Sequence, residues 1–457
     1  MPSLSKRLRN ETRAIFKLGV PIAITQLSMA AMGTTDTLMS GHYNKQDLAA
    51  VAIGNGLWQP LFFALVGILA AIVPLVGLAF GAGDYRSIRN HIQQALWLAL
   101  TIGLLGTIAL QLTAAPLIAL MQVEAPVDQI SYQYVIAVSL GFPAGALFTV
   151  LRGSTEALHQ TRQVMLISIF GLLCNIVLNY LLIYGKFGLP ELGGVGCGWA
   201  SALVMWIQCT VLLLFNRHDS HYKPIRYWKN WRRPIVSEQL TLLKIGVPIG
   251  FALFIEVSMF SMMALFLAPL GQDSVAGHQI AFASVTLAFM LALSLSMTLT
   301  IQVSYQLGKK NYSQARFIAY TGLGLALMLA TITATLFLST SEWIAGLYTS
   351  DPQVITLAAT ILGLAALLQL PDYLQVTIVG ILRGFKDTTT AMYTAFLAYW
   401  VVGLPVGYLL CYTDLFGTAL GVTGFWLGPI AGVSIAATLL GWRLKWQLTR
   451  LPAPFSG

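Results

Sequence analysis

The sequence predicts an all-α polytopic membrane protein with twelve transmembrane helices in two six-helix, pseudo-symmetric lobes. The 457 residues are 57% hydrophobic and 9% charged, against roughly 25% charged in soluble domains, and their mean hydropathy is +0.74. Apolar runs of at least about 18 residues, long enough to cross a bilayer, recur along the chain. The second half also repeats motifs of the first half in the same order, so little sequence is left for a soluble domain.

Each predicted helix is an apolar run bounded by charged residues or by Gly and Pro turns. Six runs fall in each half of the chain. They lie near residues 14–41, 47–75, 91–116, 128–151, 163–184, 194–215, 240–268, 274–303, 317–338, 353–382, 390–412 and 420–447.

An offset of about 227 residues relates the two halves. Lys-Leu-Gly-Val-Pro-Ile begins at Lys17 and Lys-Ile-Gly-Val-Pro-Ile at Lys244, while Leu-Arg-Gly begins at Leu151 and again at Leu382. Because each half holds an even number of helices, both halves start on the same side of the membrane, and an axis along the membrane normal relates them. The predicted organisation is an N-lobe at 1–215, a basic linker at 216–234 and a C-lobe at 235–457.

The positive charges predict the orientation. If the N-terminus is cytoplasmic, all of the 26 Lys and Arg residues except Lys45 and Lys186 fall on cytoplasmic ends and loops. Both termini and the linker are therefore expected in the cytoplasm. A basic linker with Trp228 and Trp231 is also compatible with binding to nucleic acid or lipid headgroups, but a crossover anchored at the bilayer surface explains it, and no nucleic-acid partner is expected.

Three carboxylates, Asp36, Glu256 and Asp372, fall inside predicted hydrocarbon. An ionised Asp near the bilayer centre costs roughly 2.5 to 3.5 kcal/mol, so each acid needs a hydrogen-bonding partner, a proton or a cation. No Lys or Arg is predicted at comparable depth. This pattern is typical of a cation site.

Asp372 follows a proline that offers a second ligand. Pro371 has no amide hydrogen, which leaves the backbone oxygen of Leu367 without its helical partner. A carboxylate beside a free carbonyl is a common way for a membrane protein to bind a small hard cation. We therefore expect the Leu367 oxygen and the Asp372 carboxylate on one wall of the site.

Asp36 has a different setting. It is flanked by threonines, and Asn175 and Asn179 stand four residues apart on one face of the fifth predicted helix. Their amides are able to satisfy an Asp whether or not it is protonated. Both a structural polar cluster and a functional site remain open.

Side chains one or two turns beyond Glu256 are candidates for an apolar cavity wall. Met259, Phe260 and Met263 suit organic cations through dispersion and cation–π contacts, although lipid-facing packing explains them about as well. Walker A, HExxH and GxSxG motifs are missing from the sequence. We therefore predict a gradient-driven transporter, not an enzyme, with no cofactor.

Two motifs carry a family resemblance. Gly-Gly-Val-Gly-Cys-Gly at residues 193–198 and Leu-Arg-Gly-Phe-Lys-Asp at residues 382–387 accompany Glu256, Asp372 and the duplicated twelve-helix plan. Together they resemble the NorM branch of the MATE (multidrug and toxic compound extrusion) transporters along essentially the whole chain. The resemblance implies a MATE/MOP-type fold in the bacterial inner membrane, and we expect the protein to be a monomer. It also implies that cationic drugs, dyes and fluoroquinolones are exported in exchange for Na⁺ or H⁺.

The same resemblance assigns roles to individual residues. It implies a C-lobe cation site for Na⁺ at Glu256 and Asp372, with Tyr373 as a candidate neighbour. It also implies an N-lobe site at Asp36, with the two asparagines as its polar or substrate-binding cluster.

Rival functions make different demands on the sequence. A lipid-linked oligosaccharide flippase of the same superfamily needs a buried Arg or Lys for a pyrophosphate, and none is predicted in mid-span. A channel needs a ring of charges that single carboxylates do not make, and a membrane-embedded transferase needs a catalytic loop.

Overall fold

The computed structural model describes residues 4–414 and 419–452, and between those limits it contains helices and no β-strand. The α-helices are α1 Leu4–Tyr43, α2 Lys45–Leu69, α3 Ile72–Gly81, α4 Tyr85–Leu120, α5 Val127–Ser139, α6 Phe142–Ala157, α7 Thr161–Ile183, α8 Gly194–His218, α9 Val236–Leu267, α10 Gln272–Gly308, α11 Tyr312–Gly346, α12 Pro352–Gly384, α13 Thr389–Phe396, α14 Leu404–Tyr412 and α15 Gly421–Thr449. Short helical turns occupy Lys186–Gly188, Ser220–Tyr222 and Ala268–Leu270, and a π-helix at Leu397–Gly403 joins α13 to α14.

The helices confirm the predicted fold class. Within the described ranges, eleven helical stretches are long and apolar enough to cross a membrane, and the pair α5 and α6 makes a twelfth span. That pair is bent by 44°. Pro143 stands in the first turn of α6, where its missing amide hydrogen removes no helical bond and its fixed φ favours a new helix start.

The chain forms two compact units. The first unit is Ile24–Gly250, and the second unit is Met1–Ala23 together with Phe251–Gly457. Both boundaries therefore lie inside helices, one in α1 and one in α9. Each is close to a proline of the repeated motif, Pro21 in α1 and Pro248 in α9. The beginning of α1 thus clusters with the second half of the chain, a division that the duplication alone does not predict.

Within the first unit, the linker after α8 is held against the helices. Three of its side chains, Tyr222, Ile225 and Tyr227, are at most 1% exposed. Gln93 of α4 donates to the Tyr227 carbonyl at 2.7 Å, and Gln94 donates to the carbonyl of Arg233 at 3.0 Å. Burial raises the pKa of both linker tyrosines. The linker is therefore a packed crossover segment.

Within the second unit, hydrogen bonds fasten α12 to α10. Ser296 Oγ donates to the Val376 carbonyl and Thr300 Oγ1 donates to the Gly380 carbonyl, each at 2.7 Å. These bonds satisfy buried hydroxyls with backbone oxygens of the neighbouring helix. They also fix the rotation of α12, and so determine which of its polar side chains face inward.

Candidate cation site

A cavity of about 40 Å³ lies in the second unit between α9, α10, α12, α13 and the π-helix. A buried water needs roughly 10–15 Å³ of space for its centre, whereas pockets for drug-sized molecules are roughly 300–1,000 Å³. The cavity therefore has room for a few waters or a small cation, and is too small for an organic drug. The polar side chains that line it are Glu256, Ser296, Gln375, Arg383 and Tyr399.

Charged groups lie at and beside this cavity. Glu256 interacts electrostatically with Arg383 and with Asp372, which is only 7% exposed. Within the part of the chain that the structure describes, neither Glu256 nor Asp372 has a hydrogen-bond partner. A buried carboxylate in this condition is strongly destabilising until it gains a proton or a cation. The chemistry of the site is therefore that of cation capture.

Neutral oxygens complete the surroundings of the acids. The Gln375 amide donates to the Tyr399 hydroxyl oxygen at 3.0 Å, and its own Oε1 has no partner among the described residues. Tyr399 lies in the electrostatic field of both carboxylates. Among the described residues, no group of three or more His, Cys, Asp or Glu side chains is placed to hold a metal ion. A cation here would rest on two carboxylates, with hydroxyl and amide oxygens nearby.

The expectation that no fixed cation accompanies these acids is wrong. The Cα of Arg383 lies in the last turn of α12. Helical side chains tilt towards the N-terminus of their helix, and the long arginine side chain carries its guanidinium further in that direction, towards the cavity. Arg383 also shares a helix face with Gln375 and Val379, each four residues from the next. The guanidinium therefore faces the same cavity as Glu256.

The expectation for Leu367 is also wrong. α12 continues through Pro371 without a break, and Leu367 is 61% exposed whereas Asp372 is buried. Residues five apart on a helix point about 140° away from each other. The free carbonyl of Leu367 therefore lies towards the outer face of α12 and not on the wall that holds Asp372.

The predicted wall residues pack in the core of the second unit. Met259, Met263 and Tyr373 are 0% exposed, and the Tyr373 hydroxyl donates to the Ala288 carbonyl at 2.9 Å. Phe260 is partly buried and packs against Phe282 with 5.1 Å between the ring centroids. None of the four predicted side chains lines the cavity in this structure. A stripe of Met and Phe predicts burial but does not say whether it faces a cavity or a neighbouring helix.

Asp36 lies in the first unit and is fully hydrogen bonded. Its Oδ1 accepts from Asn175 at 3.0 Å and from Asn179 at 2.6 Å, and its Oδ2 accepts from Ser201 Oγ at 2.9 Å. Asp36 is 6% exposed. The structure thus unites the predicted acid with both predicted asparagines. Sequence reasoning missed Ser201, whose only signal is its place two turns into α8.

A second buried acid of the first unit was not predicted. Glu156, 1% exposed, accepts from Arg152 Nε at 2.9 Å. The other guanidinium nitrogens donate to Met29 Sδ at 2.8 Å and to the Gln26 side-chain oxygen. Glu156 stands past the predicted end of its span, so hydropathy alone placed it outside the membrane.

Comparison with known proteins is consistent with this arrangement. A profile of the MatE family matches residues 21–181 and 248–409, two segments whose starts are 227 residues apart, as in the internal repeat. The multidrug resistance protein PmpM of Pseudomonas aeruginosa is 42% identical over 438 residues, which are 96% of this chain and 92% of PmpM. The multidrug resistance protein MdtK of Yersinia pseudotuberculosis is 40% identical over 445 residues, 97% of each chain.

A solved structure shares the fold. The crystal structure of the eukaryotic MATE transporter AtDTX14 superposes with a TM-score of 0.87 at 20% identity, over 97% of this chain and 98% of that one. At this identity the match establishes the architecture alone.

Proposed function

The chain belongs to the MATE (MatE) family, whose relatives PmpM and MdtK are multidrug resistance proteins, and from this premise we propose that it is a cation-coupled drug exporter of the NorM type. It exchanges cationic and amphipathic drugs, dyes and fluoroquinolones for Na⁺ or H⁺ across the bacterial inner membrane. The termini and the linker lie in the cytoplasm, and the protein works as a monomer. Tags at the N-terminus and within the linker should accordingly react only with reagents inside the cell.

One observation carries the proposal: Glu256 lines a cavity of about 40 Å³, Asp372 beside it is only 7% exposed, and neither carboxylate has a hydrogen-bond partner among the residues that the structure describes. Buried acids that share a proton or accept hydrogen bonds from polar neighbours can stabilise the fold, but these two carboxylates repel each other. Their energy falls when a small cation arrives. Carboxylate, hydroxyl and amide oxygens are hard ligands, which favours Na⁺ as the coupling ion.

The mechanism that follows is competition between two positively charged ligands. When the acids take up a coupling cation on the outside, they lose the negative charge that attracts a cationic drug, and the drug leaves. Entry of one positive charge gains roughly 2.3 kcal/mol per 100 mV of membrane potential, but exit of one singly charged drug costs the same amount, so the net drive for such a drug is the cation gradient, about 1.4 kcal/mol for each tenfold ratio. Because each ligand weakens binding of the other by the same factor, the coupling is reciprocal.

The charge of the cavity argues against the flippase alternative. A pyrophosphate group needs an excess of positive charge, whereas Arg383 stands here against two carboxylates. Arg152, the arginine at the matching position of the first unit, is already bound to Glu156.

The test is counterflow in liposomes that contain the purified protein. Vesicles loaded with a fluorescent cationic dye receive either a sodium jump or a pH jump from the outside. We expect dye release on the sodium jump and none in protein-free vesicles. Release that follows neither ion gradient would overturn the antiport proposal.

A further inference from the structure

Three charged side chains come together in the second unit: Glu256 and Arg383 line the cavity, and the buried Asp372, three residues before the lining residue Gln375 on α12, interacts electrostatically with Glu256. A guanidinium stays protonated in proteins, so it contributes one fixed positive charge. Two ionised carboxylates against one guanidinium leave a net charge of minus one. Arg383 makes no side-chain hydrogen bond to any residue that the structure describes, and within that part of the chain Glu256 is the acid that interacts with it electrostatically.

The internal repeat shows how this arginine became available. Leu151-Arg152-Gly153 aligns with Leu382-Arg383-Gly384, which places Glu156 opposite Asp387. In the first unit Arg152 is paired with Glu156, four residues later on the same helix.

In the second unit the matching acid has another partner. Asp387 is held by Arg443 of α15, whose Nε lies 2.7 Å from its Oδ2. Arg383 is therefore left without the partner that its counterpart in the first unit has. The position of Met29, which contacts Arg152, is occupied in the second half by Glu256. One arginine is bound locally, whereas its counterpart faces a cavity with an acid in it.

We propose that Arg383 is a built-in countercharge that limits the cavity of the second unit to one coupling cation per cycle. This deepens the antiport proposed above and rests on it. Without the arginine, two ionised acids would need two monovalent cations for neutrality. With it, one suffices, and the bound cation is held less tightly, so that it leaves on the inner side and allows the next cycle.

A consequence for the energy source follows. When one Na⁺ enters as one singly charged drug leaves, no net charge crosses the membrane. Export of such a drug is then driven by the sodium gradient and is indifferent to the membrane potential.

The test measures dye accumulation in liposomes at a fixed sodium gradient while a potassium diffusion potential is varied. The probe is ethidium, a permanent monovalent cation. For the unmodified protein we expect the steady accumulation ratio to be independent of potential. For Arg383→Gln we expect a second Na⁺ per cycle. The ratio should then change on the order of 40-fold per 100 mV at the thermodynamic limit. The sodium concentration for half-maximal rate should fall roughly tenfold or more.

Matched variants separate charge from structure. Arg383→Lys keeps the charge and should stay independent of potential. Lys386→Gln removes an exposed charge three residues away and should behave like the unmodified protein.

A double variant keeps the test decisive if Arg383→Gln fails to fold. Glu256→Gln alone leaves no net charge and should lose sodium coupling. Glu256→Gln combined with Arg383→Gln restores minus one through Asp372 and should regain it. If Arg383 only supported the packing of the helices, the double variant would not regain sodium coupling.

The outcomes are distinguishable. Potential-dependent export by the unmodified protein, or a double variant that folds without regaining coupling, overturns the countercharge. An Arg383→Gln protein that folds and stays independent of potential overturns it as well. If the unmodified protein shows no sodium-driven export, the antiport proposal itself has failed.

Discussion

The two units treat their buried acids in opposite ways. In the first unit, Asp36 accepts three hydrogen bonds from Asn175, Asn179 and Ser201. In the second unit, Glu256 at the cavity and Asp372 beside it have no hydrogen bonds within the described part of the chain, and Glu256 faces an arginine. Satisfied polar groups stabilise one packing arrangement, whereas an unsatisfied charged group stabilises whichever state brings it a ligand. The second unit is therefore the better candidate for the coupling step.

The internal repeat shows which residues of the second unit occupy the positions of the Asp36 cluster. Asn179-Tyr-Leu-Leu-Ile-Tyr184 aligns with Gly407-Tyr-Leu-Leu-Cys-Tyr412, so the two asparagines correspond to Gly403 and Gly407. Ser201 corresponds likewise to Gly428, and Asp36 to Met263. A Cβ added at Gly428 would stand 2.7 Å from the Gly407 backbone. The first unit joins these helices with polar side chains, and the second joins them by close backbone contact.

The largest effect is expected from neutralising the acids of the second unit. Glu256→Gln and Asp372→Asn should each reduce sodium-stimulated export to the level of protein-free liposomes, because each removes the net negative charge that holds the cation. The proteins should still elute as single species in detergent. The double variant should be no worse than either single one, as expected for residues that act as a unit. Additive partial losses would indicate two independent sites.

Substitution of Asp36 tests whether the hydrogen-bonded acid of the first unit also takes part in transport. Asn at this position is still able to accept from the two asparagines and donate to Ser201, so Asp36→Asn should fold with little change in melting temperature. We expect drug resistance to be lost nevertheless, because the charge is lost. Asn175→Ala or Asn179→Ala should weaken coupling. A well-expressed Asp36→Asn protein that exports normally would make this cluster purely structural.

The helix contacts should respond differently in the two units. Gly428→Ala forces a methyl group against the Gly407 backbone and should lower stability by about 1–3 kcal/mol. Ser201→Ala, at the matching position, removes one hydrogen bond to a carboxylate and should lower it by about 1.5–3 kcal/mol, but without steric strain. Thermal unfolding in detergent measures both. Gly428→Val should lower the stability further than Gly428→Ala does, whereas Ser201→Val should be about as stable as Ser201→Ala.

The smallest effect is expected for acids outside the membrane. Asp351 caps α12 by accepting from the Gln353 amide at 2.9 Å, and Asn is an equally good cap. Solvated charges are screened beyond about 8–10 Å at physiological salt. Asp351→Asn and Asp273→Asn should therefore export within about twofold of the unmodified protein in the same liposome assay. A large loss in both would contradict the placement of the spans.

Much of the architecture is already determined by the sequence. Hydropathy predicts the spans because a bilayer requires long apolar helices, and the repeated Lys17 and Lys244 motifs predict the duplication that the family profile also matches twice. The buried acids Asp36, Glu256 and Asp372 stand out because charge is rare in hydrocarbon. The pairing of Asp36 with its two asparagines follows from their helical spacing together with the resemblance.

The tertiary structure alone decided what faces each acid. Helical periodicity relates residues on one helix, but it does not say which face of another helix lies opposite or how far a long side chain reaches across. For that reason the sequence gives no indication that Arg383 and Tyr399 share a cavity with Glu256, or that Ser201 completes the shell of Asp36. The outward position of the Leu367 carbonyl follows from the rotation of α12. That rotation is set by its hydrogen bonds to α10, which join residues about 80 positions apart in the chain.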